Sequence, residues 1–202
     1  IRAAKTGMLF SAPIIAAVAD GLTQKDFPLV VDPVCVAQSG ARLLLPEAME
    51  ALVSRMLPLA DLLTPNRLEA EALAGMAIAT REDALRAGER LLGLGAVAVL
   101  IKGGHFTPAS GEAGETVADV LLSRTGIVRD YARPRVATRN THGTGCTLSA
   151  AIAAHLGLGK SLEEAVDAGR DYLQLALETA WDLGGGDGPV NHLAPYQRRL
   201  SR

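Results

Sequence analysis

The chain has 202 residues, enough for one large domain or two small ones with a substantial buried core. Apolar residues make up 49% of it and aromatics only 3%, so alanine, leucine and valine carry the packing, as suits helices laid closely over a sheet. A net charge of -2, from 20 basic and 22 acidic side chains, gives no electrostatic case for nucleic acid, and the arginines lack interleaved aromatics that could stack on bases.

The chain opens on AAKTGML, a predicted strand ending around Met8. SAPIIAAVADGL follows as a helix, with Ser11 as N-cap and Pro13 in the first turn. PLVVDPV (Pro28 to Val34) is a short β-rich run, and PEAMEALVSRMLPLA after it reads as a helix. ADLLTPN (Ala60 to Asn66) repeats the design of an apolar run broken by a polar turn. Leu68 to Leu73 is a short helix, and Arg81 to Leu94 a longer one whose buried side carries Ala84, Leu85, Gly88, Leu91 and Leu92. AVAVLIKGG (Ala96 to Gly104) is the clearest strand. Continuous apolar strands of this kind are expected where helices cover both faces of a parallel sheet, and the repeated βα units point to a three-layer α/β domain spanning residues 1–202.

The pattern then changes. PASGEAGE reads as a mobile loop, and ETVADVLLS and GIVRDYARPRV as strands of an antiparallel hairpin at a sheet edge. Helices over Gly143 to Leu156 and Ser161 to Asp182 follow, then a glycine-rich return, GGGDGPVNH. The terminal RRLSR is expected to be a solvated basic tail. No apolar run reaches the roughly 18 residues of a membrane span, and no leader opens the chain, so no membrane partner and a cytoplasmic location are expected.

Sites in open parallel sheets lie beyond the carboxyl ends of strands, which directs attention to Met8, Asp32, Asn66 and Lys102. The strongest local signal lies elsewhere, in THGTGCTLSAA. Thr141, Gly143, Thr144 and Gly145 form a turn feeding into a helix whose first amides lack intrahelical acceptors and can face an anion. A tight turn whose glycines only permit close helix packing fits the same residues. No lysine follows, so this is not a P-loop.

Cys146 stands at that helix start, where unpaired amides and the helix dipole favour a thiolate; the alternative is a buried cysteine filling a small hole. Cys35 has no such turn and reads as packing or pocket wall. His142 beside the turn and His105 after KGG are each open to a local structural role or a phosphate contact. The histidines and cysteines never adopt a compact zinc-ligand spacing.

Asp32, and Asn66 with Glu69 in N-x-x-E, offer hard oxygens that can hold Mg²⁺ directly or through water, but N-x-x-E is equally a capping box. Lys102 is costly in a core and useful as a point charge near phosphate, with Asp119 as one candidate partner. Lys5 and Thr6 mark another pocket edge, and Met8 offers an adaptable apolar wall for a flat heterocycle, or ordinary packing.

KTGML, VVDPV…SG, LLTPNRLEAEAL, KGGH, THGTGCTLSAAIAA and DGPVNH, in this order, resemble the hydroxymethylpyrimidine/phosphomethylpyrimidine kinases of thiamine biosynthesis, within the ribokinase-like superfamily. The resemblance runs over essentially the whole chain. It implies a mostly parallel sheet flanked by helices, and ATP-dependent phosphorylation, with Mg²⁺, of an aminopyrimidine alcohol and then of its monophosphate. By resemblance Gly143, Thr144 and Gly145 form the anion hole and Cys146 takes the catalytic position that an aspartate fills in many relatives. Asn66 and Glu69 match the motif organising Mg²⁺ and phosphate, Met8 matches a pyrimidine-pocket residue, and Asp32 and Lys102 fall near the phosphates. The resemblance also admits a homodimer. Relatives begin with a strand and a glycine-rich segment that this chain is expected to lack. Two readings compete with this one: a pyridoxal kinase of the same superfamily, and a non-catalytic nucleotide-binding or interaction module.

Overall fold

In the computed structural model, which describes residues 1–37, 40–104 and 116–196, the expected β runs all form strands. They are β1 (Ala4–Thr6), β2 (Leu29–Val31), β3 (Leu62–Leu63), β4 (Ala98–Gly104), β5 (Thr116–Ser123) and β6 (Val128–Pro134). The chain divides into two compact units, an α/β unit of Ala4–Arg135 and a helical unit of Ile1–Ala3 with Val136–Arg202.

In the α/β unit the six strands lie side by side in sequence order. β1 to β4 are parallel, with Thr6 opposite Val31, Val31 opposite Leu63 and Leu63 opposite Val99. The last two strands run antiparallel, β5 to β4 and β6 to β5, which is the expected edge hairpin. A strand order that steps in one direction, joined by crossovers of one hand, sends every connecting helix to the same face. The packing agrees: α1 (Ala12–Leu22), α2 (Pro46–Ala51), α3 (Arg67–Ala74) and α4 (Arg81–Gly93) share one apolar cluster with Val31, Leu63, Val99, Ile101, Val120 and Leu122. Val30, Leu62, Ala98, Leu100 and Leu121, which alternate with these along the strands, are buried too. Burial of both sets explains why the runs read as continuous rather than alternating.

The predicted helix over PEAMEALVSRMLPLA is broken in three. After α2 the chain makes a π-helical turn, Leu52–Met56, closed by the Leu57 amide on the Leu52 carbonyl, and then a 3₁₀ turn, Leu57–Leu59. Pro58 is the cause, because its ring displaces the carbonyl four residues back and it has no N–H to donate. α3 and α4 open on complete capping boxes, Asn66 with Glu69 and Thr80 with Asp83, whereas Ser11 stands at the start of α1 without a side-chain hydrogen bond.

The helical unit holds α5 (Thr144–Gly157) and α6 (Leu162–Glu178). They meet where Gly169 of α6 faces Leu148 and Ile152 of α5; a Cβ there would sit 2.7 Å from Ile152 Cγ1. The predicted second helix runs on to Asp182, but α6 ends at Glu178, where the Thr179 hydroxyl turns back to the Leu175 carbonyl. The GGGDGPVNH return is held by backbone: His142 donates to the Gly188 carbonyl and Asn191 to that of Ala176. Among the described residues no helix is long and apolar enough to cross a membrane. His105, PASGEAGE and the RRLSR tail lie outside the described residues.

Candidate active site

Four predicted site residues of the α/β unit fall at or near the carboxyl ends of its parallel strands, and Glu69 stands in the first turn of α3. Met8 follows β1 and is half exposed, Asp32 follows β2, and Asn66 follows β3 and pairs in a parallel bridge with Lys102 of β4. Neighbouring parallel strands end side by side, so residues far apart in sequence converge here.

Lys102 Nζ donates to Asp32 Oδ1 at 3.0 Å, and the Thr64 hydroxyl approaches the same oxygen at 3.4 Å. Asp119 is buried as well and accepts the Gly103 N–H at 2.7 Å. Sequence reasoning passed over Thr64. Its signal is a polar residue closing an apolar run directly before a proline, in LLTPN.

Asn66 and Glu69 form the capping box in full. Asn66 Oδ1 accepts the Glu69 N–H at 2.9 Å, and Glu69 Oε2 accepts the Asn66 N–H at 2.8 Å. The other carboxylate oxygen of Glu69, Oε1, accepts the Cys35 N–H at 3.2 Å. Burial pushes the Glu69 carboxyl above its ordinary value; the Lys102 ammonium and the Asn66 and Cys35 amides pull against that, and the Asp32 charge adds to it. Burial, with the negative charges of Glu69 and Asp32, lifts the Cys35 thiol to about 12. Cys35 is therefore a neutral thiol packed in the apolar core, the packing alternative of its sequence context.

Mg²⁺ is tested by what these oxygens already do. Asp32 and Glu69 supply the hard carboxylate oxygens that suit this ion, while the Lys102 ammonium on Asp32 competes with it for one of them. Both Glu69 oxygens and Asp32 Oδ1 already accept hydrogen bonds, and among the described residues no three His, Cys, Asp or Glu side chains gather as a ligand set. The residues fit Mg²⁺ held through water and by substrate phosphates, which is how this ion is commonly bound.

The helical unit carries the glycine turn. Gly143 is the N-cap of α5 and takes φ 81°, the left-handed region that favours glycine. It brings no capping side chain, so the Gly145 and Cys146 amides in the first turn stay uncapped. The Thr147 amide and hydroxyl both return to the Gly143 carbonyl at 2.8 Å, which fixes the turn. Cys146 is the third residue of α5 and is exposed, so it does not fill a hole in the packing. His142 is exposed, with its backbone tied to Gly188.

The approach to the turn is held by residues the sequence did not single out. Buried Asn140 donates through Nδ2 to Asp182 Oδ1 at 3.0 Å, and Arg139 pairs with the same carboxylate at 3.2 Å. These two hold Asp182 below its ordinary value, Asn140 contributing most. Beside them lies an open groove of about 730 Å³ lined by Thr138, Asn140, Glu178 and half-exposed Trp181.

Residues 1–191 match the family described as phosphomethylpyrimidine kinase. A hydroxymethylpyrimidine/phosphomethylpyrimidine kinase of Rhizobium meliloti is 46% identical over 195 residues, covering 95% of this chain and 71% of that protein. The thiamine biosynthesis bifunctional protein ThiED of Geobacter sulfurreducens is also 46% identical over 190 residues; the match covers 94% of this chain and 37% of that longer protein. Among solved structures, an ADP complex of Bacillus subtilis pyridoxal kinase superposes with a TM-score of 0.82 at 33% identity, over 96% of this chain and 70% of that one. The fold is the ribokinase-like α/β fold that the motifs suggested, with four parallel strands and an antiparallel edge. On its sequence over residues 1–191 and on its fold, this chain belongs to the phosphomethylpyrimidine kinase family.

Proposed function

We propose that the chain forms part of an ATP-dependent kinase that phosphorylates the hydroxymethyl group of an aminopyrimidine, 4-amino-5-hydroxymethyl-2-methylpyrimidine, and then its monophosphate. The observation carrying this reading is Cys146, exposed on the first turn of α5 beside uncapped amides, with a glycine N-cap that leaves an anion free to approach. Phosphoryl transfer is governed by positioning and charge neutralisation, and oriented amides neutralise developing charge without reorganising.

Each residue then has a role. The Gly145 and Cys146 amides, with the Thr144 hydroxyl, donate to the oxygens of the transferring phosphoryl group, while Gly143 keeps the approach clear. Cys146 faces the substrate hydroxyl as base or electrostatic guide. Lys102, held by Asp32, places a positive charge for nucleotide phosphates. Mg²⁺, when bound, would neutralise phosphate charge, and Asn66, Glu69 and Asp32 would hold it through water. Half-exposed Met8 forms an apolar wall for the pyrimidine. A cytoplasmic location belongs to the same proposal.

The test is Mg²⁺-dependent phosphorylation by the full-length protein, with the pyrimidine and pyridoxal assayed side by side. Cys146→Ala is expected to lose turnover while keeping its circular dichroism spectrum. Near-normal turnover in that variant overturns the role of Cys146. Pyridoxal is the second substrate because a pyridoxal kinase shares the fold at a TM-score of 0.82. Preference for it overturns the pyrimidine assignment, and ATP binding without product overturns catalysis altogether.

A further inference from the structure

Glu69 ties the loop after β2 to the start of α3 through both of its carboxylate oxygens. One carboxylate oxygen holds the Asn66 N–H, at the junction after β3, and the other holds the Cys35 N–H, in the loop after β2. The Cys35 carbonyl in turn accepts the Leu43 N–H at 2.9 Å, so that residue is fixed from both sides. Between Asp32 and Cys35 stands Val34, with φ at +40°. A β-branched side chain in the left-handed region is a genuine outlier, and such strain persists only where the surroundings over-determine it. Relaxing Val34 would swing the peptides on both sides of it. On one side these lead to Cys35, and on the other to Asp32, whose carboxylate meets Lys102.

We propose that Glu69 is a positioning residue: through the Cys35 N–H it holds Val34 in its strained conformation and so sets Asp32 against Lys102. This goes beyond a role in organising Mg²⁺, and only its effect on turnover rests on the kinase reading. Asp32 and Glu69 are buried, at 2% and 3% exposure, so the linkage is shielded from competing water.

A double-mutant cycle with Val34→Gly and Glu69→Gln tests it. Glutamine keeps the shape of the side chain but offers one acceptor oxygen to two amides. With Glu69 present, Val34→Gly relieves strain as well as losing side-chain packing; with the clamp gone, only the loss remains. The Tm change caused by Val34→Gly is therefore expected to be more favourable with Glu69 intact than in the Glu69→Gln background, by roughly 3 °C. Equal changes in the two backgrounds overturn the proposal. If Glu69→Gln fails to fold, Glu69→Asp, whose shorter carboxylate cannot span both amides, replaces it in the cycle.

In the kinase assay Glu69→Gln is expected to lower kcat roughly ten- to hundredfold while leaving KM for the alcohol unchanged. A change confined to the Mg²⁺ concentration for half-maximal rate, without coupling to Val34, also overturns it. Absence of any turnover in the unsubstituted protein sinks the kinase reading instead, and leaves the Tm cycle to decide on Glu69.

Discussion

Lys102 Nζ lies 3.0 Å from Asp32 Oδ1, with only 12% and 3% of the two side chains exposed. A buried pair of this kind is weak evidence for stability, because desolvation offsets much of the attraction. Removing one partner is another matter, since the remaining charge keeps its burial and loses the opposite charge beside it. Lys102→Met and Asp32→Asn are each expected to lower unfolding free energy by about 3 kcal/mol, and the double variant to recover part of that loss. Urea denaturation of the four proteins checks this. Additive losses would show that the two groups do not depend on each other.

Much of the α/β unit was legible because its determinants are local. Strands such as LVV and AVLIKGG are largely apolar with Asp32 and Lys102 at their carboxyl ends, and α3 and α4 carry their own capping boxes. Carboxyl-end geometry alone makes Asp32, Asn66 and Lys102 neighbours. Less legible were features in which one residue overrides the local pattern or acts on a distant one. Pro58 stops a helix whose pattern continues past it, and the hydrogen bond from the Cys35 N–H to Glu69 joins residues 34 apart. Local context alone left Cys146 balanced between packing and chemistry, and the order of the surrounding motifs set it at the catalytic position. Its exposure removes the packing alternative, because a hole-filling thiol has to be enclosed.

Two glycines of the helical unit separate backbone conformation from packing. Gly143 has φ 81° with open space where a Cβ would stand, so Gly143→Ala strains the backbone without a clash. Gly169 has an ordinary helical backbone, but its Cβ would meet Ile152 Cγ1 at 2.7 Å and the Ile152 amide nitrogen at 3.2 Å. A clash with backbone cannot be relieved by rotating a side chain. Gly169→Ala is therefore expected to cost about 1–3 kcal/mol through overpacking, with kcat/KM of the folded fraction little changed. Gly143→Ala is expected to cost about 1 kcal/mol and to lose turnover disproportionately, since the turn ahead of Cys146 is displaced. Thermal unfolding and initial rates on both variants check the contrast, and a Gly143→Ala enzyme with full turnover would remove the turn from the mechanism.

Asp83 gives a pH-dependent test in the α/β unit. Its carboxylate caps the start of α4, accepting the Thr80 N–H at 2.9 Å and the Ala79 N–H at 3.1 Å, and it pairs with Arg86. The Thr80 amide is the largest cause, followed by Arg86, in lowering its pKa from 3.8 to about 2. A carboxyl group depressed on folding contributes stability that is fully present above its unfolded value and is lost as pH falls through its folded one. The contribution of Asp83 is therefore complete above about pH 4, declines between there and about pH 2, and does not return at lower pH. Asp83→Asn removes this titration, so the stability difference between the two proteins is expected to be constant near neutrality and to shrink across that acid window. Carboxyl-carbon NMR should place the Asp83 midpoint near 2. A stability difference that does not vary with pH would show that the carboxylate hydrogen bonds at the start of α4 contribute nothing in solution.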